Sequence, residues 1–175
     1  TGTIKMTDGT ISGNNKSGSK SGDAVYLNGG TFTMSGGTIS GNGGSTGQGN
    51  GCVCIDGNAV FTMSGGTIAQ NKNMISCVYV SVGDFTLKGG TLDSIGGYGV
   101  FVNSGNIFTM EGGLVSSSSI AVYSSGPVVL KGGTVNGNIE CTQMNFYSNA
   151  NILGNIRLFS QNGTICMKDY DGTTP

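Results

Sequence analysis

The chain has 175 residues, a net charge of −1 and only 10% charged side chains, which excludes the basic stripe of a nucleic-acid binder and a strongly acidic tail. Its 34 glycines would suit a low-complexity chain, but 36% of its residues are hydrophobic and regularly placed, so it reads as one folded unit rather than as disorder. Histidine is absent, which removes Ser-His-Asp and Cys-His catalysis, His-ligated zinc and an imidazole base.

The first predicted element is "IKMTDGTI" from Ile4, a short strand that runs into a glycine turn. The loop "NKSGSKSGD", Asn15–Asp23, follows, and then a second strand, "AVYL", at Ala24. "FTMSGGTI" comes next at Phe32–Ile39, and the loop "GGSTGQGNG", Gly43–Gly51, leads to "CVCI" at Cys52. "FTMSGGTI" then recurs letter for letter at Phe61–Ile68, followed by "CVYV" at Cys77 and "FTLKGGTL" at Phe85. "GVFV" at Gly99, "FTMEGGLV" at Phe108, "AVYS" at Ala121 and "VVLKGGTV" at Val128 complete the series. The last stretch, "NFYSNANILGNIRL" at Asn145–Leu158 and "NGTICMKD" at Asn162–Asp169, keeps only echoes of the pattern.

The first phrase starts at 4, 32, 61, 85, 108 and 128, at intervals of 28, 29, 24, 23 and 20 residues. Self-similarity at this period marks a solenoid, with loops of different length between constant strands. Within the phrase, period two separates inward from outward positions. Ile4, Phe32, Phe61, Phe85, Phe108 and Val128 form one inward column. Met6, Met34, Met63, Leu87, Met110 and Leu130 form the second, and Ile11, Ile39, Ile68, Leu92, Val115 and Val135 the third. Each repeat holds two strands and a third short one around "GGTI", and the paired glycines bend the chain where a Cβ would obstruct the corner. A strict hexapeptide period is missing, and the recurrent aspartates of the calcium-binding nonapeptide repeat are missing too. The expected fold is therefore all-β: a right-handed parallel β-helix (solenoid) with coils of about 20–29 residues, one segment over 1–175, in which 139–175 form irregular or partial terminal coils. The chain begins at Thr1, inside the repeated pattern, and is expected to be a segment of something longer. It has no signal-peptide core and no run of about 18 apolar residues, so no membrane span is expected in it.

"GGTI", "GGTL" and "GGTV", followed by "SGN" or "NGN", resemble polymorphic-outer-membrane-protein repeats over about Ile4 to Asn138. They also resemble the "F-T-M-x-G-G-T-I-x-x-N" arrays of very long bacterial surface proteins, although the companion "FxxN" motif is not regularly present. The resemblance implies an extracellular right-handed β-helix in an adhesin, an autotransporter passenger or a cell-envelope stalk.

No pair of acids shares a column on neighbouring coils, and the single arginine, Arg157, lies in the irregular end. The grouped charges of a polysaccharide lyase or hydrolase are thus missing. Lys88, Glu111 and Lys131 share one position on three successive coils, as expected of surface ion pairs. Cys52, Cys54, Cys77, Cys141 and Cys166 have no zinc spacing and read as small apolar side chains in a packed column. Thr33, Thr62, Thr86 and Thr109 form an outward row, and Thr10, Thr38, Thr67, Thr91 and Thr134 another, interrupted by Leu114. Tyr26, Cys54, Tyr79, Phe101 and Tyr123 alternate with Val25, Val53, Val78, Val100 and Val122. Both rows are apolar, so alternation leaves both facings open; an outward aromatic row would mark a protein or sugar contact. Lys16, Lys20, Gln48 and Asn50 sit in the two long loops, where binding residues are often carried on a rigid scaffold.

The sequence thus leads us to expect a non-enzymatic stalk or adhesin of the bacterial cell surface or extracellular space, without a cofactor. Expected partners are a host or neighbouring-cell protein or glycan, or another copy of the chain, and not nucleic acid. Ice binding through the threonine rows is the alternative, and a polysaccharide-active enzyme the third reading.

Overall fold

The computed structural model describes residues 2–14, 22–43, 49–72, 74–160 and 162–168. Eighteen strands and no helix are found among them, and the strand pairings are all parallel. The strands form a curled parallel sheet compatible with a β-solenoid, in which each strand pairs with its counterpart one repeat later. No helix in the described residues is long and apolar enough to cross a membrane.

Three faces follow one another in each repeat. The first is built from Thr3–Met6, Thr31–Met34, Ala59–Met63, Gly83–Leu87 and Ile107–Met110. The second holds Thr10–Ile11, Thr38–Ser40, Thr67–Ala69 and Thr91–Ser94, which confirms the third short strand around "GGTI". The third holds Val25–Asn28, Gly49–Asp56, Met74–Val80 and Tyr98–Val102. The register matches the predicted columns residue for residue: Ile4 pairs with Phe32, Phe32 with Phe61, Phe61 with Phe85, Phe85 with Phe108 and Phe108 with Val128.

Stacking like on like places identical side chains at the strand spacing, which flat rings fill well. The rings of Phe32 and Phe61 lie 4.7 Å apart at 8°, those of Phe61 and Phe85 4.9 Å apart at 16°, and those of Phe85 and Phe108 5.4 Å apart at 16°. All four are buried against the methionine and isoleucine columns. Val128 pairs on to Met144 and Met144 to Ile165, so among the described residues Ile4 and Ile165 end the column; each has a described neighbour on one side only, and they are 48% and 44% exposed.

The glycine corner explains itself at Gly65 and Gly66. Gly66 has φ +86°, and a Cβ there would stand 2.7 Å from the Gly37 carbonyl oxygen; a Cβ on Gly65 would strike the Ser35 carbonyl. The first glycine is required by backbone approach and the second by its left-handed conformation as well.

The next corner is held by buried asparagines. The amide oxygen of Asn42 accepts from the backbone N–H of Asn14 at 3.1 Å, while the Asn42 backbone N–H and side-chain amide donate to Asn71 Oδ1, both at 3.0 Å. The Asn71 amide in turn donates to the Ile39 carbonyl at 3.0 Å. Such a ladder satisfies turn amides that would otherwise be buried without partners.

From Leu114 onwards the expected short separate strands merge. Leu114–Leu130 and Gly133–Tyr147 run as continuous strands around the corners, because shorter repeats leave fewer residues for turns. Register shifts between Ser116 and Ile120, Ile120 and Val122, and Ser124 and Pro127 absorb the change of direction. The C-terminal stretch keeps the register: Ile152 pairs with Val135, Ile156 with Ile139 and Ile165 with Met144.

Removing one ring from the Phe column should be far more damaging than removing an outward neighbour. Phe61→Ala is expected to cost about 3–5 kcal/mol by opening a cavity, and Thr62→Ala no more than about 0.5 kcal/mol. Equal urea midpoints for the two variants would contradict the column assignment.

Candidate functional site

With the columns paired, the third face has one facing only. Val53, Val78, Val100 and Val122 are fully buried, whereas Tyr26 is 44% exposed and Tyr79, Phe101 and Tyr123 are half-buried on the outer side. The aromatics therefore face outward, and Cys54, which is buried, separates Tyr26 from the rest. The rings of Tyr79 and Phe101 stack at 5.2 Å, Phe101 and Tyr123 at 4.8 Å, and Tyr123 and Phe159 at 5.3 Å. Tyr98 leans against both Phe101 and Tyr123, at 5.3 and 5.4 Å. Neither Tyr98 nor Phe159 was expected in the row. Tyr98 lies just before "GVFV", and Phe159, which reaches Tyr123, directly follows the stretch Asn145–Leu158 that keeps only echoes of the pattern.

This arrangement limits what the row can do. Successive rings cover each other's faces, so solvent meets mainly edges and hydroxyls, and the row does not offer the open ring faces on which a sugar stacks. Each stacked pair adds about 0.5–1.5 kcal/mol beyond burial, so the row works as an external spine. Two of the tyrosine hydroxyls are engaged: Tyr26 Oη donates to Asp56 Oδ2 at 3.1 Å, and Tyr79 Oη lies 3.2 Å from the Asn103 amide nitrogen, which donates to it. The bond to Asp56 raises the Tyr26 phenol above its usual value.

The loop candidates divide. Lys16, Lys20 and Gln48 lie outside the described residues. Asn50 belongs to the strand Gly49–Asp56 rather than to a loop, and its carbonyl accepts the Ser76 hydroxyl at 3.1 Å.

The threonine row is an unbroken ladder, with Thr33 paired to Thr62, Thr62 to Thr86 and Thr86 to Thr109. The outward column before it carries Thr31, Val60, Asp84 and Ile107, and the residues after it include Lys88 and Glu111. Glu111 lies 3.4 Å from Lys88 and 3.7 Å from Lys131, and Arg157 lies 3.1 Å from Glu140. These exposed pairs are each worth at most about 1 kcal/mol.

Cys52, Cys54, Cys77 and Cys141 are buried and unbridged, and Cys166 is half-buried. Cys52 and Cys77 fall between the paired positions Gly51–Ser76 and Val53–Val78, so they are neighbours in one packed column. Burial pushes the Cys54 thiol up to about 11, Cys77 to about 12 and Cys141 to about 11, and raises Cys52 as well. Such thiols are poor nucleophiles at neutral pH. The described residues hold no group of three or more His, Cys, Asp or Glu placed to bind a metal. Compared with protein families, with curated proteins and with solved structures, the chain matches none.

Thiol labelling at pH 7 should therefore modify Cys166 alone in the native chain and all five cysteines after denaturation. The folded state prefers the neutral thiols, so this contribution is whole below the ordinary thiol value of 9.0 and is lost as the pH rises through about 11 to 12. Over that window the urea midpoint of the parent should fall more than that of a Cys54→Ala/Cys77→Ala variant; parallel curves would contradict the assignment.

Proposed function

We propose that the chain is a right-handed parallel β-helix segment of a large bacterial cell-surface or secreted protein, and that it acts as a rigid, non-enzymatic stalk or adhesive scaffold. The observation that carries this reading is the in-register column from Ile4 to Val128, in which each repeat adds one further layer without adding chemistry. Sequence resemblance supports the extracellular setting, and the partner would be a protein or glycan on a host or neighbouring cell. The mechanism is mechanical: parallel backbone hydrogen bonds join successive layers, and the Phe, Met and Ile ladders bury a continuous core.

Ice binding is a weaker reading, because Val60, Asp84 and Ile107 beside the threonine ladder break the regular lattice it needs. A polysaccharide-active enzyme is weaker still, because among the described residues no two acids are register partners on neighbouring strands.

Length is the decisive test. Inserting four further copies of residues 32–60 should lengthen the particle by about 19 Å in small-angle X-ray scattering, at about 4.8 Å per added layer. An unchanged maximum dimension would refute the scaffold reading. A crystal structure of the same variant reads the handedness, and thermal hysteresis or sugar release would redirect the assignment to the other two classes.

A further inference from the structure

The corner between the second and third faces opens, late in the chain, into a polar groove of about 550 Å³. It exists because the shortened repeat has no loop there. The register shift between Ser116 and Ile120 pushes Ser118 and Ser119 out of the ladder and leaves them exposed. The floor is held in place. Ser117 is buried, and its hydroxyl donates to the Gly97 carbonyl at 2.8 Å while accepting the Ser119 backbone N–H at 3.2 Å. The far wall is tied down by Asn138 Oδ1, which accepts the Asn155 backbone N–H at 3.0 Å.

On this framework Asp93, Ser116 and Asn136 occupy one outward ladder across three repeats. A carboxylate, a hydroxyl and an amide thus stand in a row at the strand spacing, about 4.8 Å apart. Ile95 and Leu153, which are 68% and 60% exposed, line the same groove and add aliphatic surface. No lysine or arginine is among the lining residues, so phosphate, sulfate and acidic sugars lack a counter-charge. A single carboxylate is too few for a calcium or magnesium site built from protein oxygens.

We propose that this groove binds a neutral saccharide. Asp93 and Asn136, two strands apart, hydrogen-bond hydroxyls of successive sugar units, and Ile95 and Leu153, at opposite ends of the groove, each cover a C–H face, matching the alternation of polar edge and apolar face that each pyranose of an oligosaccharide presents. The proposal names a ligand class for the adhesive half of the function proposed above and rests on that half. The insertion experiment tests the scaffold half separately, so the two can fail independently.

The test is an array of neutral and acidic oligosaccharides probed with the full 175-residue chain, followed by calorimetric titration of the neutral sugars retained. Asp93→Asn and Asn136→Ala should each weaken binding about tenfold or more, as expected for losing hydrogen bonds at a charged or bidentate group. Lys131→Ala, on the first face, should bind like the parent, and all three variants should keep the parent melting temperature. Retention of no neutral sugar, retention of acidic sugars only, or parent affinity in both groove variants would overturn the proposal.

Discussion

Each layer of this molecule must lie on the one beneath it at a single strand spacing, and the rest of the structure follows from that requirement. Parallel in-register pairing brings each side chain against its own counterpart, so a column is stable only where the residue type stacks on itself. Flat phenylalanine rings and flexible methionines do so in the core, and asparagine amides do so at the corner, where donor meets acceptor from Asn14 to Asn42 to Asn71. Charged side chains stack poorly on themselves, and the charged positions that do stack alternate in sign, as Lys88, Glu111 and Lys131 and again as Glu140 and Arg157. The glycine pairs answer the same requirement from the backbone side, since successive corners approach too closely for a Cβ.

The division of labour between inside and outside follows. The core positions are bound to their columns and have no freedom left for recognition. The outer positions and the corners are less constrained, and the chain's diversity collects there. The aromatic row from Tyr79 to Phe159 resembles a binding stripe in composition, yet its ring faces are taken up by one another, so it stiffens the third face. The polar groove by Asp93 and Asn136 is the reverse case: serines and asparagines of ordinary turn composition become a concave surface because a repeat was shortened.

The columns of the first and second faces were legible because period two and exact repetition coincide there, and one aligned phrase defines the register of all the others. The facing of the third face was not legible, because Val78 and Tyr79 are both apolar and only burial separates them. Asn42 reads as a surface turn residue in the sequence; its complete burial depends on Asn14 and Asn71, 28 and 29 positions away. The fusion of turns into the strands Leu114–Leu130 and Gly133–Tyr147 escaped for a related reason. Turn propensity is local, whereas the continuity of a strand around a corner is set by how many residues the repeat has to spare. Phe159 could not be assigned a place until its stretch was paired with Glu140 and Cys141.

The verbatim copies of "FTMSGGTI" carry a hazard as well as a stability. Two identical phrases are interchangeable partners during folding, so a chain slipped by one whole repeat would still place Phe on Phe and Met on Met. The unequal intervals remove that degeneracy. A slip that satisfies the first face also satisfies the second, which always lies seven residues on, but it misaligns the third, whose distance from the first shrinks from 21 residues (Phe32 to Val53) to 17 (Phe61 to Val78), 15 (Phe85 to Val100) and 14 (Phe108 to Val122). Cys54 works in the same direction, as the one non-aromatic residue between Tyr26 and Tyr79. Irregularity in loop length thus serves as an address for each layer, and it selects a single alignment from a set that the core alone would leave nearly equal in energy.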